Sequence, residues 1–149
     1  MAEHPNVARI RRGYEIRGES TEFSDDDRAE IEELFDEGLV YHGQGTSRFS
    51  QDFVGRDQFF EVERKFAQLV GMRQEVLKIF ANEAHAVVIA QVHGELDGVE
   101  TTWQEAELFR FDENGKVTDT WGIPTDQDVV DDFWAGVMSA MQPVGAQAA

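Results

Sequence analysis

Residues 101–124 read TTWQEAELFRFDENGKVTDTWGIP, and this stretch decides the fold. Asn114-Gly115 lies at its centre, and Asn-Gly readily takes the positive φ angles of a two-residue hairpin turn. A long strand is expected on either side. Side chains alternate across a strand, so Trp103, Glu105, Glu107, Phe109 and Phe111 share one face. Three of the five are aromatic, which turns that face inward. Two are carboxylates, which an ordinary core does not accept unpaired. An acid-bearing aromatic wall is what a buried reaction or binding pocket requires.

Strands continue upstream of the hairpin. Arg73 to Phe80 reads as one, with a turn at Asn82-Glu83. His85 to Gly94 reads as another, rich in Val, Ile and Ala, with a turn at Leu96-Asp97-Gly98. Earlier still the period changes to that of helices. Residues 4–17 place Val7, Ile10 and Tyr14 on one face, with Pro5 in the first turn and Gly18 at the end. Ser24 is a good N-cap for a second helix, with Asp25, Asp26 and Asp27 beside its positive end. That helix is expected to run to about Glu37, burying Ile31, Leu34 and Phe35, and to stop at Gly38. Leu39 to His42 follows as a short strand. Gly43 to Val54 reads as a long irregular loop, a length often found in functional lids and rims. Gly55-Arg56-Asp57 then opens a third helix whose apolar face is Phe59, Val62, Phe66, Leu69 and Val70. After Pro124 a short helix carries Val129, Phe133, Trp134, Val137 and Met138.

Helices gathered at the start and a strand meander behind them predict an α+β domain. The expectation is a cone-shaped, curved antiparallel sheet wrapped over three helices. A strongly curved sheet cannot lie flat on helices everywhere, and the gap becomes a pocket. Residues 1–141 form a single domain in this reading, and residues 142–149 a flexible tail.

The chain has 149 residues and no cysteine, so neither a disulfide framework nor thiolate chemistry is expected. Thirty acids against 13 bases give a net charge of −17. A solubilising surface accounts for that charge simply. It argues against nucleic acid as a partner, which needs a basic stripe, and against anionic membranes. Neutral or cationic small molecules remain compatible. No apolar run approaches the ~20 residues needed to span a bilayer, and the cytoplasm is the expected compartment. His4, His42, His85 and His93 show no metal-ligand spacing, and no nucleophile elbow, P-loop or dinucleotide fingerprint appears. Neither metal nor cofactor is expected.

Several segments together carry a family resemblance. They are Ala8 to Tyr14, Leu34-Phe35, Val40-Tyr41-His42-Gly43, Gly55-Arg56-Asp57, Glu107 to Phe111, Asn114 to Val117, and Trp121. In this order and spacing the chain resembles the nuclear-transport-factor-2-like superfamily, in its SnoaL-like polyketide cyclase and ketosteroid-isomerase-like branch. The resemblance spans roughly residues 5–135. It implies a cone fold with a deep apolar pocket and homodimerisation through the outer sheet face, where Leu108 and Arg110 would lie. The fold hosts enzymes, ligand binders and interaction modules alike, so it does not fix an activity.

Candidate roles follow. Glu107 matches the strand position where cyclases of this branch often carry a histidine acid/base. A carboxylate in an aromatic pocket has its pKa raised, which suits proton transfer near neutral pH. The alternative is an ion pair with Arg110 or Arg73. Glu105, on the same face, either shares a proton with Glu107 or lies at a wet rim. His42 can be a general base or substrate hydrogen-bonder beneath the loop, or a structural histidine. Tyr14 can donate to an oxyanion, as tyrosines there do in this family, or be a core residue. Trp103, Trp121, Phe59 and Phe66 are expected to line the pocket. One departure stands out: relatives commonly carry an aspartate after the last-strand tryptophan, whereas Trp121 is followed by Gly122, leaving Asp119 or Asp126 as substitutes. Two functions stay open, a cofactor-independent isomerase, cyclase or hydrolase on an apolar cyclic or polyketide-like molecule, and a non-catalytic ligand-binding or dimeric interaction module.

Overall fold

The computed structural model describes residues 2–19, 22–46 and 51–141. Its elements in chain order are α1 (Pro5–Glu19), α2 (Asp25–Leu34), β1 (Phe35–His42), β2 (Phe53–Val54), α3 (Arg56–Val70), β3 (Arg73–Ala81), β4 (His85–Leu96), β5 (Val99–Phe111), β6 (Val117–Pro124) and α4 (Gln127–Met141). The strands form one open sheet in the order β2-β1-β6-β5-β4-β3. The architecture is α+β, with one correction to the expected sheet. β1 runs parallel to β6, so the sheet is mixed and not antiparallel throughout. Four helices accompany it among the described residues, three before the last four strands and the helix expected after Pro124, which runs the full length of α4. None of the helices among the described residues is long and apolar enough to cross a membrane. The proposed tail, residues 142–149, lies outside the described residues.

Local chemistry explains most boundaries. The Ser24 hydroxyl accepts from the Asp27 N–H at 3.1 Å and caps α2, with three aspartates in the first turn. α2 ends at Leu34 and not near Glu37, because Phe35 already has extended backbone (φ −106°, ψ 133°) and enters β1. Phe35, Leu39 and Tyr41 then point to the same, inner face; the first two are fully buried. The hairpin turn also differs from expectation. Only Gly115 has positive φ there, and the Asp112 carboxylate accepts from the Asn114 and Lys116 N–H groups, both at 2.9 Å. That side chain lengthens the connection into a turn followed by a left-handed glycine. The two-residue turn with two positive φ angles occurs instead at Asp97-Gly98.

Two apolar clusters fill the concave side. One joins α1, α2 and the sheet through residues such as Ile10, Leu34, Phe60, Val88 and Phe109. The other places α4 against the sheet through Val92, Trp103, Phe133 and Val137. Gly94 makes the second possible: a Cβ there would stand 2.5 Å from the Phe133 ring. Between the clusters the sheet bends away from α3 and leaves a cavity.

Candidate active site

The cavity has a volume of about 520 Å³. Its walls are aromatic and aliphatic, including Phe23, Tyr41, Phe59, Phe60, Phe66, Trp103 and Trp134. Tyr41 stacks on Phe59 with ring centroids 5.1 Å apart, and Phe66 meets Trp134 edge-on at 5.5 Å. Six polar lining residues converge from three directions: Tyr14 and Arg17 from α1, Glu63 from α3, and Gln74, Glu105 and Glu107 from the sheet. Each is placed by its element's period. Tyr14 and Arg17 are one helical turn apart. Glu63 follows Phe59 by four residues and precedes Phe66 by three. Glu105 and Glu107 share the inner face of β5, and Gln74 lies on the inner face of β3, opposite Val92 of β4.

Gln74 joins the two acids. Its Nε2 donates to Glu107 at 2.7 Å and stands 3.5 Å from Glu105. The Trp103 indole donates to the other Glu105 oxygen at 3.3 Å. Burial pushes Glu105 up to about 8, and the neighbouring charge of Glu107 adds to the shift. Burial also raises Glu107; the Arg17 charge pulls it back down. The two carboxylates meet the same amide, so their titrations are linked. Arg17 forms an ion pair with Glu63. Burial disfavours its charge, but Glu63 and then Glu107 keep it firmly protonated. The Tyr14 hydroxyl is buried and interacts with Glu107, without closing a well-aligned hydrogen bond. Burial and the Glu107 charge raise its pKa well above the usual phenol value. Tyr41 is raised for the same two reasons.

The structure thus brings together Glu107, Glu105, Tyr14, Trp103, Phe59 and Phe66 from the expected set. Glu105 lines the cavity and is half-buried there, and neither Arg110 nor Arg73 hydrogen-bonds Glu107 among the contacts described. His42 and Trp121 require correction, because both lie on the opposite face of the sheet. His42 follows Tyr41, and Tyr41 faces inward with Phe35 and Leu39, so alternation turns His42 outward. Trp121 is turned outward by a bulge: Phe111 pairs with Val117 but Arg110 pairs with Asp119, so Thr118 is extra and the parity of β6 flips. Trp121 pairs with Leu108 and stacks on His42 at 4.6 Å. His42 meets Asp119 at 2.8 Å, and Arg110 and Thr118 donate to the other oxygen of the same carboxylate. These hydrogen bonds outweigh the effect of burial and lower the Asp119 pKa.

Neither aspartate proposed to replace the missing acid reaches the cavity. Asp119 is held on the outer face, and Asp126 accepts from the Asp128 and Val129 N–H groups at the start of α4. Gly122 does face the cavity: a Cβ on it would stand 3.2 Å from the Tyr41 hydroxyl and 4.0 Å from Glu105. Glu105 and Tyr41 therefore occupy the space into which a longer side chain at residue 122 would project. Part of the expected rim loop is also seen. Gln44 and Phe53 line the cavity, and Asp131 of α4 accepts from the Thr46 N–H and hydroxyl; residues 47–50 lie outside the described residues.

The lining residues that the sequence reading did not assign to the pocket include Arg17, Tyr41, Glu63 and Gln74. Glu63 carried a legible signal, since it is an acid on the apolar stripe Phe59–Phe66. So did Arg17, one turn beyond Tyr14. Tyr41 required the full length of β1. Gln74 carried no signal of its own. No group of three or more His, Asp or Glu among the described residues is arranged to hold a metal ion.

A model of the SnoaL-like domain matches residues 17–120. The chain belongs to the SnoaL-like domain family. Solved structures agree on the nuclear-transport-factor-2-like, cystatin-like cone. Bal32a, from a soil-derived mobile gene cassette, is 25% identical, with 87% of this chain and 95% of that one covered and a TM-score of 0.73. An NTF2-like protein from Exiguobacterium sp. 255-15 is 16% identical, covering 79% and 98%, with a TM-score of 0.61. An LEH-like epoxide hydrolase from M. tuberculosis is 16% identical, covering 91% and 97%, also with a TM-score of 0.61. No curated protein matches the sequence.

Proposed function

We propose that the cavity is the active site of a cofactor-independent acid/base enzyme, an isomerase, cyclase or hydrolase, acting on a mostly apolar cyclic or polyketide-like molecule. The observation that carries this reading is the Glu105–Glu107 pair. Two carboxylates on one strand share the Gln74 amide inside an aromatic cavity, and their environments divide acid from base. Glu105, pushed up to about 8, holds its proton at neutral pH and is the acid. Glu107, nearer the Arg17 charge, is the base. In the step, the Glu107 carboxylate takes a proton from a substrate C–H or from an attacking water. Glu105 gives its proton to the substrate heteroatom that accepts the displaced electron pair. Proton exchange with water then restores the pair. The Tyr14 phenol, beside Glu107, adds a hydrogen bond to the bound molecule. The structure of an epoxide hydrolase on this fold is compatible with the hydrolase form, although that likeness concerns the fold alone.

A screen of cyclic ketones, epoxides, lactones and polyketide fragments, followed by turnover assays, tests the reading. Glu107→Gln should bind the same ligands, keep its melting temperature within a few degrees and lose turnover. Undiminished turnover would remove this mechanism. The second reading, a binding module, is favoured by Gly122, which leaves β6 without an acid of its own in the cavity; ligand binding with no turnover in the wild type selects it.

The outer sheet face supports a homodimer. Phe80 and Ile123 are exposed there, beside Val87, Ile89, Leu108 and Trp121. Light scattering should give twice the chain mass, and Leu108→Glu should halve it. We place the protein in the cytoplasm.

A further inference from the structure

We infer that the heteroatom receiving the Glu105 proton is a basic nitrogen, so that the cavity takes an amine or imine with an apolar, aromatic body. This deepens the acid/base reading and rests on it.

The charge balance of the cavity comes first. Glu63, Glu105 and Glu107 line it, and the buried cation among them, Arg17, is paired with Glu63. Two further arginines reach the lining but are placed otherwise: Arg64 lies 4.6 Å over the Phe23 ring, and Arg73 is exposed. Glu105 and Glu107 are therefore left with neutral donors, Gln74 and Trp103. A developing oxyanion would meet the like charge of the Glu107 carboxylate, whereas a cation would meet that carboxylate as an acceptor, and Glu105 as a second once its proton has left. The walls favour the same sign. The stacked pair Tyr41–Phe59 and Trp103 present π systems, which attract organic cations in water-poor sites. At longer range the net charge of −17 concentrates cations around the protein.

The chemistry balances without a cofactor. The nitrogen lone pair forms the N–H bond as the Glu105 O–H bond breaks, leaving a carboxylate beside the new cation. With an imine, the resulting iminium acidifies the adjacent C–H. Glu107 removes that proton, the C–H electrons form a C=C bond, and the C=N π pair returns to nitrogen to give an enamine. An amine that arrives already protonated expels the Glu105 proton to water instead.

Dibenzylamine and dibenzyl ether, matched in shape and differing in charge, test this by titration calorimetry at pH 7 in two buffers of different ionisation enthalpy. The amine should bind at least about tenfold more tightly, a difference of about 1.4 kcal/mol. Its apparent enthalpy should depend on the buffer, reporting proton release, while that of the ether should not. Glu105→Gln should abolish the proton release and shrink the preference, with ether affinity retained. Equal or weaker amine binding, no proton release, a preference that survives Glu105→Gln, or binding of neither compound would overturn the inference. An amine preference accompanied by full turnover in Glu107→Gln would instead break the acid/base assignment and leave the ligand class standing.

Discussion

Glu107 and Asp119 belong to neighbouring strands of one sheet, yet they face opposite sides and carry opposite perturbations. Glu107 points into the cavity, where burial raises its pKa and its direct donor is a neutral amide. Asp119 points outward, where His42, Thr118 and Arg110 all bond to it and hold it low. The arginine that could have neutralised Glu107 is paired with Glu63. A carboxylate supplied with donors is a structural fixture. A buried one denied a cation of its own is held ready to exchange a proton.

The two faces should therefore respond differently to the removal of charge. The largest effect is expected for Glu107→Gln, a loss of roughly 10²–10⁴ in turnover, whereas Asp119→Asn should leave turnover within about twofold. Comparable losses in both would break the contrast. Next comes the pH dependence of stability. The folded pKa of Glu105 is raised to about 8, so the native state binds more protons than the unfolded chain between about pH 4.5 and 8. Its burial costs nothing below that window and its full amount above it, so stability falls as pH rises. Glu105→Gln should flatten the profile and stabilise the protein above pH 8 by on the order of 1–3 kcal/mol, read from urea melts. Catalysis should likewise fade as pH rises through about 8 in the wild type, because the acid loses its proton. The smallest effect is on the outer face. Asp119 is lowered, so its contribution is present at neutral pH and lost on acidification. Asp119→Asn should cost about 1 kcal/mol at pH 7 and become neutral at low pH; a stabilising effect at pH 7 would reverse the assignment.

Much of the fold was legible because it follows from local chemistry. The inward parity of Trp103, Glu105, Glu107, Phe109 and Phe111 holds, as does the Ser24 cap; the apolar face of α3 holds only in part, since Leu69 is exposed and Phe60 is buried instead. His42 and Trp121 are misplaced for different reasons. A β1 that starts at Leu39 hides the run Phe35, Leu39, Tyr41 and leaves His42 in the pocket. Trp121 was misassigned because one extra residue, Thr118, reverses a strand face without leaving a mark in the local pattern. Gln74 could not be picked out, since a polar residue near a strand end looks the same whether it meets water or a carboxylate from another strand.

The sequence by itself determined the α+β order, the acid-bearing wall of β5 and the absence of an acid after Trp121, because each depends on residue type and on a period of two or 3.6. Only the tertiary structure decided which acids lack a cation, since Arg17 and Glu63 stand 46 positions apart and Gln74 and Glu107 stand 33 apart. Pairing across such separations is set by how the sheet curves over the helices, and the strength of a buried charge depends on what that curvature places beside it.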